Sequence, residues 1–145
     1  MFRAFVKAAR LRTLPLSISG ILIGSAVAYA EGNHDWRIFT LALLTTIGFQ
    51  VLSNFANDYG DGIRGTDNHD RVGPLRGLQS GAISPKQMLG AIKITGMITF
   101  LIAVVLIYIA FELKEYANYF FLFLFFGIAS INAAIKYNMG KKDYG

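Results

Sequence analysis

Four stretches of the chain, Leu14 to Ala30, Ile38 to Phe55, Ile94 to Phe111 and Tyr116 to Ile135, run 17 to 20 residues without a charged side chain. At about 1.5 Å of rise per residue, a helix of that length spans roughly 26–30 Å, close to the thickness of a bilayer's hydrocarbon core. A cleaved signal peptide could explain the first stretch, which follows basic residues, but not the other three. Only 16% of the 145 residues are charged, against about 25% in an ordinary soluble domain. The pattern predicts an all-α, multi-pass transmembrane helix bundle. One domain covers residues 1–145, with helices at about 14–30, 38–58, 85–111 and 116–137.

The basic residues set an orientation for that bundle. Arg3, Lys7, Arg10 and Arg12 precede the first stretch, Arg64, Arg71, Arg76 and Lys86 follow the second, and Lys136, Lys141 and Lys142 follow the fourth. The other two connections carry one basic residue each, Arg37 and Lys114, and Lys93 can snorkel from the start of the third helix. This distribution puts the amino terminus and the 54–86 segment on the cytoplasmic side of the cell membrane. The net charge of +5 is therefore a topology signal, and no nucleic-acid partner is implied. The chain has no cysteine, which excludes disulfides, thiolate metal sites and thiol nucleophiles. Its two histidines, His34 and His69, fall in different connections, which argues against a histidine-based zinc or haem centre.

Local signals refine the helices. Pro15 sits in the first turn of the first, where its missing N–H is harmless. Gly20 and Gly24, with Ser17 and Ala28, form a stripe of small residues that predicts close packing on a neighbouring helix. Gly32 and Asn33 mark an outer turn, beside Trp36 at the interface. Ser84, Pro85 and Gln87 read as a capping box with proline at the first helical position. Phe120, Phe121, Phe123, Phe125 and Phe126 fit a lipid-facing surface on the fourth helix. The connection from 56 to 84 is the exception in length, and long connections in compact bundles are commonly functional.

That connection opens with NFANDYGDGIRGTD, residues 54–67. Acids at a membrane helix end are costly and point to function. If the second helix continues past Phe55, Asn54, Asp58 and Asp61 fall within about 60° of one another, with Asn57 widening the arc slightly. Two carboxylates one turn apart need a counter-charge in a low-dielectric site. Magnesium suits them, because it takes oxygen ligands and binds through one or two carboxylates plus substrate phosphates. Arg64, Arg71 and Arg76 offer planar donors matched to phosphate oxygens. An EF-hand is excluded because Gly60 and Gly62 occupy ligand places, and a phosphate-binding P-loop because no Gly-Lys-Ser/Thr ending exists. A solvated loop carrying ordinary helix-end acids remains the alternative.

NDYGDGIRGTD, followed by NHDRVGPLRGLQSGAISP, resembles the first aspartate-rich motif and following loop of the UbiA superfamily of intramembrane prenyltransferases. The segments ARLRTLPLSISGILIGSAVA and KYNMGKKDYG are similar to the branch that prenylates 1,4-dihydroxy-2-naphthoate in menaquinone synthesis. The resemblance implies a polyprenyl diphosphate held through Mg2+ by two aspartate-rich motifs, and an aromatic acceptor that loses its carboxyl group as carbon dioxide. It implies that Asn54, Asp58 and Asp61 position the metal. Asp67 is the third acid, in metal, water or acceptor positioning, although Gly65 stands where many members carry one. By the same resemblance Arg71 and Arg76 clamp the diphosphate, and Asn57, Arg12, Gln50, Lys136 and Tyr137 line the chamber.

Family members have about twice as many helices, with a second aspartate-rich motif in the second half. After Lys136 this chain has one acid, Asp143, so it resembles an amino-terminal half and is expected to be inactive alone. The missing half would come from the same chain or from a partner. Two rivals are weaker. A CDP-alcohol phosphotransferase would need an alanine–arginine pair after Asp61-Gly62-Ile63-Arg64 and two later aspartates at four-residue spacing, and neither is present. A transporter or assembly subunit would place acids at mid-membrane, and the four stretches have none.

Overall fold

The computed structural model describes residues 1–65, 76–111 and 117–139. Among these, helix α1 (Phe2–Ala8) leads through a 3-10 turn (Leu11–Thr13) into α2 (Leu14–Ala30), followed by α3 (Trp36–Arg64), α4 (Pro85–Ala110) and α5 (Ala117–Met139). No strand occurs among the described residues. Four of the helical segments are long and apolar enough to cross a membrane, and the fold is an all-α bundle.

Each helix starts and stops for a local reason. Asp35 caps α3 by accepting the backbone N–H of Arg37 at 2.7 Å, and it also pairs with the Arg37 guanidinium. The side-chain hydrogen bond from Arg37, and then its backbone bond, hold the Asp35 carboxyl down at about 2. At the other end of α3, Gly65 takes a left-handed φ of 70°, which closes the helix where a side chain would be strained. The helix runs to Arg64, beyond the expected end at residue 58, so the aspartate cluster is helical. The Ser84 capping box is formed, with the Ser84 hydroxyl accepting from Gln87 N–H at 3.3 Å and Gln87 Oε1 accepting from Ser84 N–H at 2.9 Å.

The principal seam joins α3 to α4. The two helices approach closely where Gly48 faces Thr99 and where Gly96 faces Leu52. The expected stripe on α2 behaves differently. A Cβ added at Gly20 or Gly24 would meet nothing within 4 Å, so among the described residues nothing packs on these two glycines, although Ser17 of the same stripe meets Gln50 of α3. Glycine spacing marks a surface that can pack closely, but it does not say which helix arrives. Phe121, Phe123, Phe125 and Phe126 of α5 are exposed, as a lipid-facing wall would be.

Thr99 is fully buried and β-branched, so it cannot rotate away from a new methyl group on α3. A Cβ at Gly48 would stand 2.9 Å from Thr99 Cγ2. Gly48→Ala is therefore expected to destabilise the bundle by about 1–3 kcal/mol through overpacking. A lowered melting temperature in detergent checks this, and an unchanged one would mean that the seam can open at no cost.

The buried core lies at one end of the bundle. Leu52, Phe55 and Ala56 of α3 meet Met88 and Ile92 of α4, Ile83 of the preceding turn, and Ala8 and Ala9 at the end of α1. This packing brings α1, the carboxy-terminal half of α3 and the turn at 76–84 together, and it sets the place of the polar residues.

Candidate functional site

With α3 helical to Arg64, Asn54, Asp58 and Asp61 share one face at i, i+4 and i+7. Asp58 is the most enclosed of them, at 1% exposure. Its Oδ2 accepts the backbone N–H of Gly77 at 3.1 Å, which holds the 76–84 turn against α3. Glycine gives the closest approach there. A Cβ on residue 77 would lie 2.9 Å from Ile83 Cδ1 and 3.1 Å from Asp58 Oδ2. The second carboxylate oxygen, Oδ1, is buried without a hydrogen-bond partner among the described residues. A buried, unpaired carboxylate oxygen is costly unless something positive comes to it.

Asp58 lines a cavity of about 450 Å³ whose other charged lining residues are Lys7, Arg10, Arg12 and Arg76. Arg76 also forms an ion pair with Asp61, both side chains being mostly shielded from solvent. Burial lowers the Arg76 pKa from its ordinary value. The neighbouring Arg10 charge lowers it further, and Asp58 opposes both. The cavity wall is thus cationic with one carboxylate set into it, an arrangement that suits a multiply charged anion accompanied by a metal.

The other residues expected at the site divide by position. Arg12 lines the cavity. Asn54 is buried behind it, with Nδ2 donating to Ala9 O at 2.8 Å and to Thr13 Oγ1 at 3.3 Å. Gln50 donates to Asn54 Oδ1 at 3.4 Å and accepts from the Ser17 hydroxyl, so it ties α2 to α3. Asn57 is half-buried on α3 and is not among the residues lining the cavity. Lys136 and Tyr137 are exposed near the end of α5, away from the cavity lining. Asp67 and Arg71 lie outside the described residues.

Sequence reasoning did not find Arg10, Lys7 or Gly77. In the sequence the first two are topology charges and the third is one glycine of many. Only the docking of α1 and the 76–84 turn on α3 reveals them.

A divalent cation needs oxygen donors, and Asp58 and Asp61 could supply them. The described residues contain no group of three or more acids, cysteines or histidines that could hold a metal. The donor set is compatible with a divalent ion that takes one or two carboxylates and completes its shell with other oxygens. It does not fit an all-protein cage. The orphaned Asp58 oxygen is the atom that such an ion would meet.

The chain matches the UbiA prenyltransferase family over residues 17–145. It is 40% identical to the 1,4-dihydroxy-2-naphthoate octaprenyltransferase of Escherichia coli (strain K12), over 99% of this chain and 46% of that protein. It is 46% identical to the 1,4-dihydroxy-2-naphthoate octaprenyltransferase of Haemophilus influenzae Rd, over 94% of this chain and 44% of that protein. A third relative of the same name, from Mycobacterium tuberculosis H37Rv, is 41% identical over 62% of the chain and 30% of its own length. No solved structure shows significant similarity to the chain. The chain spans about half the length of the first two curated relatives. With the family match covering most of its residues and four membrane-crossing helices behind it, this chain belongs to the UbiA prenyltransferase family.

Proposed function

We propose that the protein transfers a polyprenyl group from polyprenyl diphosphate to 1,4-dihydroxy-2-naphthoate in menaquinone biosynthesis, and that residues 1–145 build the diphosphate end of its active site. The observation that carries this reading is the enclosed Asp58 carboxylate, with one oxygen unpartnered, in a cavity edged by Arg10, Arg12 and Arg76. The names of the relatives favour the naphthoate acceptor and an octaprenyl donor.

In this reading the allylic C–O bond of the donor breaks and the diphosphate leaves with the bonding electron pair. The acceptor ring carbon bearing the carboxylate attacks the resulting carbocation. Carbon dioxide departs, and its electron pair restores the aromatic ring. Bound Mg2+ would neutralise charge developing on the leaving diphosphate. The chain's own part is to hold the ion and the leaving group. Asp58 and Asp61 offer carboxylate oxygens, and Arg12 and Arg76 offer N–H donors to the phosphate oxygens. Asp67 and Arg71 join this proposal on sequence grounds. Lys136 and Tyr137, exposed at the end of α5, are the candidates for contact with parts of the site built from elsewhere. Residues 1–145 by themselves are expected not to turn over, because the relatives devote twice this length to the task.

The test is transfer of a labelled prenyl chain to 1,4-dihydroxy-2-naphthoate in membranes carrying the full-length protein, with and without a chelator. Release of carbon dioxide with metal-dependent product supports the reading. Transfer from a labelled CDP-alcohol in its place would overturn it.

The same reading places the cavity on the cytoplasmic face. Residues 1–145 contain no cysteine, so single cysteines introduced there are the only ones in this part of the protein, and any elsewhere are replaced by serine. In intact cells, a membrane-impermeant maleimide is expected to label Asn33→Cys in the outer turn and to spare Ser80→Cys beside the cavity. The reverse pattern would invert the topology.

A further inference from the structure

Among the described residues, Arg10 is the one non-glycine residue with positive φ, at φ 50° and ψ 56°. It follows the last residues of α1, where a helix-ending left-handed residue is ordinarily glycine or asparagine. An arginine there carries a backbone cost that glycine would avoid, and such outliers persist where the surroundings over-determine them. Here the surroundings are visible. Thr13 N–H and the Thr13 hydroxyl both donate to Arg10 O at 2.9 Å. Asn54 grips both flanks of the turn, through Ala9 O and Thr13 Oγ1.

The orientation of the Asn54 amide follows from its partners. Ala9 O is an acceptor and can face only the NH2 end, which turns Oδ1 towards Gln50 Nε2. The oxygen a metal would need is therefore engaged inside the helix packing, at 5% exposure of the residue. The outcome of the pinned turn is that Arg10 lines the cavity beside Asp58 and Arg76.

We propose that Arg10 is a further anion-binding residue of this site, contacting a phosphate group of the prenyl diphosphate, and that Asn54 is a positioning residue that holds the Arg10 turn. This rests on the prenyl-transfer reading for the identity of the anion. Its geometry stands without that reading. The αL turn converts a membrane-surface charge into a cavity-lining guanidinium. The proximity of Arg76 makes a shared, multiply charged anion the natural occupant, since it relieves the repulsion between the two cations.

The experiment uses the full-length protein in detergent, with Arg10→Gly, Arg10→Lys, Asn54→Ala and the double variant Arg10→Gly/Asn54→Ala. Inorganic pyrophosphate binding is measured by calorimetry, together with the KM for prenyl diphosphate and the Mg2+ concentration giving half-maximal rate. Arg10→Gly suits the left-handed backbone, so it should fold normally and weaken pyrophosphate binding by about 10- to 100-fold, as loss of a charge-assisted contact does. Arg10→Lys should recover part of that loss. Asn54→Ala should raise the KM for prenyl diphosphate similarly, leave the Mg2+ requirement unchanged, and add nothing to Arg10→Gly in the double variant. Wild-type pyrophosphate binding by Arg10→Gly would overturn the site, and a shifted Mg2+ requirement in Asn54→Ala would make it a metal ligand instead. Should the wild type bind pyrophosphate but transfer no prenyl group, the prenyl-transfer reading fails while the Arg10 arms still decide this one.

Discussion

Asp58→Asn is expected to lower prenyl transfer at least about 10³-fold while leaving the protein folded in the membrane, the scale that losing a metal-binding carboxylate implies. The asparagine keeps the shape of the side chain, and its oxygen can still accept the Gly77 N–H that anchors the 76–84 turn. What it removes is the negative charge of a buried group with an unpartnered oxygen. That charge also faces Arg76 across the cavity, so the melting temperature should stay level or fall only slightly. A loss of activity far larger than any loss of stability is the signature of a residue retained for chemistry. Asp58→Ala should lose the same activity but also some stability, because the Gly77 N–H then has no acceptor. Kinetics and thermal melts on purified variants check both, and wild-type turnover by Asp58→Asn would remove the metal-site reading.

Arg76→Ala is the second large effect. Arg76 pairs with Asp61 and lines the cavity, so its loss should show in stability and in binding. Both side chains are only partly exposed, and loss of the pair is expected to cost about 1–3 kcal/mol, below the range for a fully buried pair. Loss of the guanidinium should raise the KM for prenyl diphosphate by about 10- to 100-fold. Asp61→Ala introduced together with Arg76→Ala separates the two roles. The double variant should regain part of the lost melting temperature, because the Asp61 carboxylate no longer faces a missing guanidinium, and should regain no activity. Recovery of KM in the double variant would mean that Arg76 acts on Asp61 alone.

The helices of this protein were legible because the bilayer imposes a length and a polarity that survive in one dimension. The blocks at 14–30 and 38–55 lie within α2 and α3, and the capping box at Ser84 formed as Ser-Pro-x-Gln implies. The shared face of Asn54, Asp58 and Asp61 was also readable, because helical periodicity alone sets it. The functions along that face were not. Asn54 and Asp58 sit one turn apart with similar oxygens. Yet one side chain is taken up by the α1–α2 link, and the other is left with an open oxygen in a cavity. What separates them is which chain segments arrive from elsewhere, and periodicity carries no record of that.

The sequence by itself determined that this is an all-α bundle with four helices long and apolar enough to span a membrane, and two carboxylates a turn apart at the end of α3. These follow from local chemistry: uncharged length, helix-terminal caps and the 3.6-residue repeat. The tertiary structure alone decided that α1 folds back on α3, that Gly77 closes on Asp58, and that the small-residue seam runs through Gly48 and Gly96, with nothing among the described residues packed on Gly20 and Gly24. It also decided that Arg10 turns through a left-handed residue into the cavity. Each of these depends on contacts between residues far apart in the chain, and on a backbone conformation that arginine does not favour alone. Long-range packing supplies both, and no local pattern encodes it.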